Sequence, residues 1–184
     1  MGGDVNSRHA PILAIALLLS GCGLLPGTDT EQSTVVESNH TLQELCDFAK
    51  KFFSTRYDAP ELVVSIDATR PMSAKIGGGN GCSYQTPGRK EYLGNVSLFR
   101  VHEAATAPTS ENRPSRILRV DDVAVAEIVQ PIPEYLDPAT ARPYYELTAT
   151  IGKWEGRLEF KNGDEQGTQA GARVLIDMIR ALKS

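Results

Sequence analysis

Apolar and polar positions change rhythm along the chain, and each rhythm predicts a different element. Ile12 to Leu19 is a continuous apolar run, and residues 23–39 carry Pro, Gly, Ser, Thr and acidic side chains with no apolar period. Leu42, Leu45, Ala49, Phe52 and Phe53 then recur at helical spacing. Thr41-Leu42-Gln43-Glu44 ahead of them fits a capping box, in which the Thr41 hydroxyl accepts from the third backbone N–H and Glu44 reaches back to the Thr41 N–H. Lys50, Lys51 and Arg56 fall toward the C-terminal end, where the helix dipole favours cations.

From Leu62 the pattern turns to strands. Leu62 to Asp67 is a short β-branched run, and Ser73 to Ile76 is expected to pair with Cys82 to Thr86 through Gly77-Gly78-Gly79-Asn80-Gly81, where Asn-Gly is a hairpin cue. Tyr92 to His102 predicts a longer strand. Ile117 to Val120 and Val123 to Val129 flank Asp121-Asp122, and Tyr144 to Ile151 and Trp154 to Phe160 flank Gly152-Lys153, as two further hairpins. A closing helix is expected from about Thr168, its cap, to Leu182, with Val174, Leu175, Met178, Ile179 and Leu182 as its apolar stripe. The order predicts an α+β fold: an antiparallel sheet of about six or seven strands with an N-terminal and a C-terminal helix packed on at least one face.

Two stretches leave the sheet, Glu103 to Ser115 and Gln130 to Pro143, the second with four prolines that cannot donate to a ladder. Ile132, Tyr135 and Leu136 make the second partly apolar, so it reads either as a cover over a ligand site or as an irregular crossover packed on the core.

The N-terminal run has a chemical reading. It ends on Leu19-Ser20-Gly21-Cys22, the pattern of a bacterial lipobox, behind the single cation Arg8. Asp4 opposes Arg8, and a start at Val5 would leave a basic leader. The run is well short of the roughly 20 residues that a membrane span needs. Gly2 lacks the Ser or Thr that myristoylation requires, since Asn6 stands there. The expected organisation is a lipoprotein signal peptide over 1–21, a lipidated Cys22 with a flexible tether over 22–39, and a single α+β domain over 40–184. The protein would sit on the extracytoplasmic face of the cell membrane, held by its acyl chains. Sugar on Thr28, Thr30, Ser33 or Thr34 is a lesser reading of the tether.

Composition narrows the function classes. Of 184 residues, 19 are Lys or Arg and 23 Asp or Glu, a net charge of -4 with no cationic cluster, so nucleic acid is not an expected partner. With Cys22 acylated, Cys46 and Cys82 remain as an even pair in an oxidising compartment, and a disulfide is expected over two buried thiols.

No catalytic pattern in the chain is complete. His102-Glu103 is followed by Thr106 where a zinc-binding helix would place its second histidine, and Gly77 to Gly81 leads into Cys82-Ser83-Tyr84 rather than Lys-Ser/Thr and a helix. Asp121, Asp122, Glu155 and Glu159 are the acid–base candidates. The aspartates fall in a two-residue turn, and strand alternation assigns both glutamates to solvent. No Gly-x-Ser-x-Gly elbow is present. No catalytic residue, metal or cofactor is expected. Strand aromatics are expected in the core or along a groove, with Trp154, beside a turn, the one expected to be partly exposed; Ile132, Tyr135, Leu136 and Trp154 are the candidate ligand-binding residues.

Taken together, the lipobox, the Ser/Thr-rich tether, a helix bearing Cys46, the Gly-Cys-Ser-Tyr strand at Cys82 and a closing helix of small and aliphatic residues resemble small actinobacterial, mycobacterial-type lipoproteins with domains of unknown function. Some of these look like the Mog1/PsbP fold. The resemblance implies an envelope location and a disulfide, and supplies no catalytic residues. A binding or accessory module for a lipid, cell-wall component or envelope protein is the expectation, with an envelope hydrolase using an unrecognised carboxylate site, or a structural subunit of an envelope complex, as alternatives.

Overall fold

The computed structural model describes residues 38–66, 69–88, 91–101, 115–132, 134, 136, 137, 139 and 141–183. The signal segment, Cys22, the tether as far as residue 37, His102 and Tyr135 lie outside the described residues.

Helix α1 spans Leu42–Arg56 and starts as its capping box dictates: the Glu44 N–H donates to Thr41 Oγ1 at 3.3 Å, and the Thr41 N–H donates to Glu44 Oε2 at 2.6 Å. The Thr41 N–H and the nearby His40 ring hold the Glu44 carboxyl down at about 2. Leu42, Leu45, Cys46, Ala49, Phe52 and Phe53 are all buried, as the stripe requires.

Seven strands follow: β1 (Val63–Ile66), β2 (Gly79–Gln85), β3 (Tyr92–Arg100), β4 (Ser115–Val120), β5 (Val123–Gln130), β6 (Tyr144–Ile151) and β7 (Trp154–Lys161). They form one sheet in the order β1-β2-β3-β7-β6-β5-β4, antiparallel throughout. Two meanders, β1 to β3 and β4 to β7, are thus joined side by side along the β3–β7 ladder. The β4–β5 turn has positive φ at both Asp121 and Asp122, the backbone a two-residue I′ hairpin demands and short Asp side chains tolerate.

Helix α2, Glu165–Leu182, closes the domain. Its cap is Asp164, whose Oδ1 accepts from the Gly167 N–H at 2.6 Å, so the helix begins three residues before the expected Thr168. Thr168 is instead fully buried in the first turns, its hydroxyl without a partner among the described residues. Asp164 offers the same capping chemistry as Thr168, and the extra turn it opens includes Gly167, a poor helix former.

Both helices lie on one face of the sheet, α1 over β2 and β3 and α2 over β6 and β7. Between them and the sheet lies the core, including Tyr84, Leu98, Leu147, Leu158, Leu175 and Ile179. Gly156 on β7 allows α2 to come close, since a Cβ there would stand 2.8 Å from both Ile179 Cγ1 and Leu175 Cδ1. Arg116 reaches from β4 to the buried Glu127 and to Glu165 in the first turn of α2, both at 2.6 Å. The first and last parts of the domain meet where Ser38 Oγ donates to the Leu182 carbonyl at 2.8 Å.

Cys46 and Cys82 form a disulfide that fastens α1 to β2, with both residues buried. Beside it the Tyr84 hydroxyl donates to the Cys46 carbonyl at 2.6 Å, and its ring stacks on Phe53 at 4.3 Å between centroids. Burial pushes the Tyr84 phenol up from its usual 10.

Two strand expectations need correction. Residues 73–76 form no strand; Lys75 makes a single bridge to Thr41, and β2 pairs with β1 on one side and β3 on the other. The expected hairpin loop is therefore mostly strand: Gly79, Asn80 and Gly81 pair with Phe99, Leu98 and Ser97. The side-chain amide of Asn80 donates back to the Gly77 carbonyl at 2.9 Å, supporting the strand entrance.

Candidate functional site

The stripes of α1 and α2 are wider than the sheet covers, and their surplus forms a groove. The helices run antiparallel, since Arg56 at the end of α1 meets Asp164 at the start of α2, while Ser38 before α1 meets Leu182 at the end of α2. Along their seam Phe48, Phe52, Ala170 and Val174 line a depression of about 610 Å³, within the size range of small-molecule sites. Its floor is continuous with the core: the Phe52 ring stands edge-on to Phe53 and Phe160, at 5.2 and 5.4 Å.

The rim is polar and uneven. Lys51, Thr55, Arg56 and Gln166 occupy the middle and the α2-start end, and Asp177 lies at the other. Arg56 donates to Asp164 Oδ1 at 3.4 Å and to the Asn162 carbonyl, and its guanidinium lies 5.2 Å from the Phe160 ring centroid. Its Nε is buried with no acceptor among the described residues. Gly167 makes room for this arginine, because a Cβ there would collide with the guanidinium. The Gly167 N–H, and then the charge of Arg56, hold the Asp164 carboxyl below its usual range. Lys51 makes no ion pair among the described residues.

The opposite face of the sheet, away from the helices, carries a polar network. Glu146 on β6 stands directly across from Glu159 on β7. The Tyr92 hydroxyl donates to Glu159 Oε1 at 3.2 Å, Asn95 donates to the Tyr92 oxygen at 2.6 Å, and Gln130 donates to Glu146 Oε2 at 3.1 Å. Burial, reinforced by the Glu146 charge, pushes the Glu159 carboxyl up, against the hydrogen bond from Tyr92. Farther along the same strand, Arg157 grips Glu155 at 2.8 Å and lies over the Phe99 ring.

The expected site residues do not converge. Glu155 is 6% exposed and Glu159 half-buried, so the assignment of both to solvent is corrected. Strand alternation placed them on the correct side, but neighbouring side chains on that side shield them. Asp121 and Asp122 are exposed in their turn. Trp154 is buried, 7% exposed, which corrects its expected exposure: it faces the helix side, beside its turn but inside the core. Ile132 is half-buried and Leu136 exposed, and neither lines the interhelical groove.

The exposed large apolar residues include Val63 on β1 and Ile117 on β4. These are the two edge strands, roughly 29 Å apart across the sheet, so they form no shared patch. Among the described residues no group of three or more His, Cys, Asp and Glu is placed to hold a metal, and no helix is long and apolar enough to cross a membrane.

The sequence does not announce the groove, because its signal is spread over two helices far apart in the chain. Phe48 and Val174 sit on the flanks of their stripes, and a side-by-side helix pair was needed to bring them together. No family model, no curated protein and no solved structure matches this chain.

Proposed function

We propose that this protein is an extracytoplasmic lipoprotein, anchored in the membrane through Cys22, that works as a binding module of the cell envelope through the groove between α1 and α2. The observation that carries the reading is the groove itself: about 610 Å³, with an apolar floor and a polar rim, left open on the helical face. The lipobox Leu19-Ser20-Gly21-Cys22 supports the location, as does the oxidised Cys46–Cys82 pair, which persists in compartments without a reducing pool. Likeness to the actinobacterial lipoproteins rests on the same motifs.

Mass spectrometry of material extracted with the native, membrane-derived protein tests the binding role. A stoichiometric lipid or partner, lost when Ala170→Trp fills the groove, is the expected result. Protein free of ligand and partner sinks the groove as a binding site. For the anchor, Cys22→Ala should release the protein from membranes or block processing of its leader, and unchanged membrane association and processing would refute it.

One observation favours a second reading, the envelope hydrolase. Glu159, its carboxyl raised by burial and by the Glu146 charge, faces Glu146 across one ladder position, so two carboxyl groups stand side by side on that face. Loss of a hydrolytic activity on envelope glycans in Glu159→Gln, with the fold intact, would move the function to that face.

A further inference from the structure

We infer that the groove between α1 and α2 takes a long-chain amphiphile with an anionic head group, its chain along Phe48, Phe52, Ala170 and Val174 and its head beside Lys51 and Arg56. The inference rests on the groove being the binding site and adds the class of ligand. Between Gln166 and Asp177, both of which line it, α2 rises about 16 Å, so the cavity is elongated along the seam. Both walls are helices whose main-chain groups are satisfied internally, so the floor offers no ladder to an extended peptide. A hydrocarbon chain needs none.

Charge gives the groove a direction. Arg56 lies at the start of α2, and Lys51, free of ion pairs among the described residues, lies five residues back along α1, nearer that end than Asp177. Asp177 lies at the far end and opposes one. Two acidic residues stand near the cationic end: Asp164 neutralises part of Arg56, and Glu165 is taken by Arg116. What remains for a ligand is the exposed Lys51 ammonium, a donor that a carboxylate or phosphate oxygen would serve, with the partly neutralised Arg56 guanidinium beyond it.

The test uses the full chain in its own membranes, photolabelled with a diazirine analogue of palmitate or of hexadecanol, with the labelled peptides mapped by mass spectrometry. Palmitate labelling within 48–52 or 170–174 should exceed hexadecanol labelling several-fold. Lys51→Glu, at an exposed position, should cut palmitate labelling by about fivefold or more and leave hexadecanol labelling unchanged. Ala170→Trp should abolish both; Ala170 is also exposed, and thermal melting of each variant checks its fold. Equal labelling by the two probes, insensitive to Lys51→Glu, overturns the anionic head group while leaving the groove as a binding site. Absence of groove labelling by either probe overturns both.

Discussion

Gly156→Ala should destabilise the domain through one identifiable collision. The added Cβ would stand 2.8 Å from Ile179 Cγ1, 2.8 Å from Leu175 Cδ1 and 2.9 Å from Ile179 Cδ1, distances at which packed carbon atoms must move. Leu175 and Ile179 are both fully buried, so neither can swing into solvent, and α2 must back away from β7. Overpacking of this size costs about 1–3 kcal/mol, against which alanine's better strand propensity returns less than about 1 kcal/mol. A net loss of about 2 kcal/mol lowers the melting temperature by roughly 4–8 °C in a domain of this size. Urea titration of the wild type and variant should show a lower midpoint at an unchanged slope. The decisive measurement is the cycle with Ile179→Val, which removes one of the colliding methyls. The double variant should be more stable than the sum of the single losses by about 0.5 kcal/mol or more. Strict additivity, or a neutral Gly156→Ala, would refute the close approach of α2 to β7, and with it the position of one wall of the groove.

Other expectations follow from the same contacts. Replacing Cys46 and Cys82 by serine, or reducing them, should lower stability by about 4 kcal/mol on the chain-entropy account of the closed segment 46–82, read as a fall in the urea midpoint. Glu44, held at about 2 when folded against 4.5, contributes stability above pH 4.5 that is lost as pH falls toward 2. Glu44→Gln should therefore narrow its stability gap from the wild type as pH falls through that window, and a constant gap would break the capping-box account. Glu159 has the opposite sign: its raised folded pKa makes the wild type lose stability as pH rises above 4.5, so Glu159→Gln should be relatively more stable at neutral pH than at pH 4. A variant that gains nothing at neutral pH would show that burial and Glu146 do not strain this carboxyl.

Where local chemistry dictates structure, the sequence was legible. The start of α1 follows from Thr41 and Glu44, the β4–β5 and β6–β7 hairpins from their two-residue turns, and the Cys46–Cys82 pair from counting thiols in a chain with a lipobox. It failed where tertiary partners override composition. Gly79-Asn80-Gly81 has the residues of a turn but becomes strand because β3 supplies a ladder opposite it. Gly167, a poor helix former, lies in the first turn of α2, where Asp164 caps its N–H and the missing Cβ leaves room for Arg56. The groove and the Glu146–Glu159 pair were invisible for a related reason: each joins residues from different elements, and a single amphipathic pattern does not state which neighbour an element will have.

The bond from Ser38 to the Leu182 carbonyl, with the β3–β7 ladder between the two meanders, has a consequence for how the domain comes into being. Residues 38–100 make only three of the seven strands, and the open β3 edge waits for β7, some sixty residues later in the chain. The helix that covers β6 and β7 comes later still. Contacts at such separation form slowly and late, so a chain emerging N-terminus first has no complete hydrophobic core until α2 has followed. In that interval the β3 edge is an unpaired ladder, and it is there that a chaperone would be most needed.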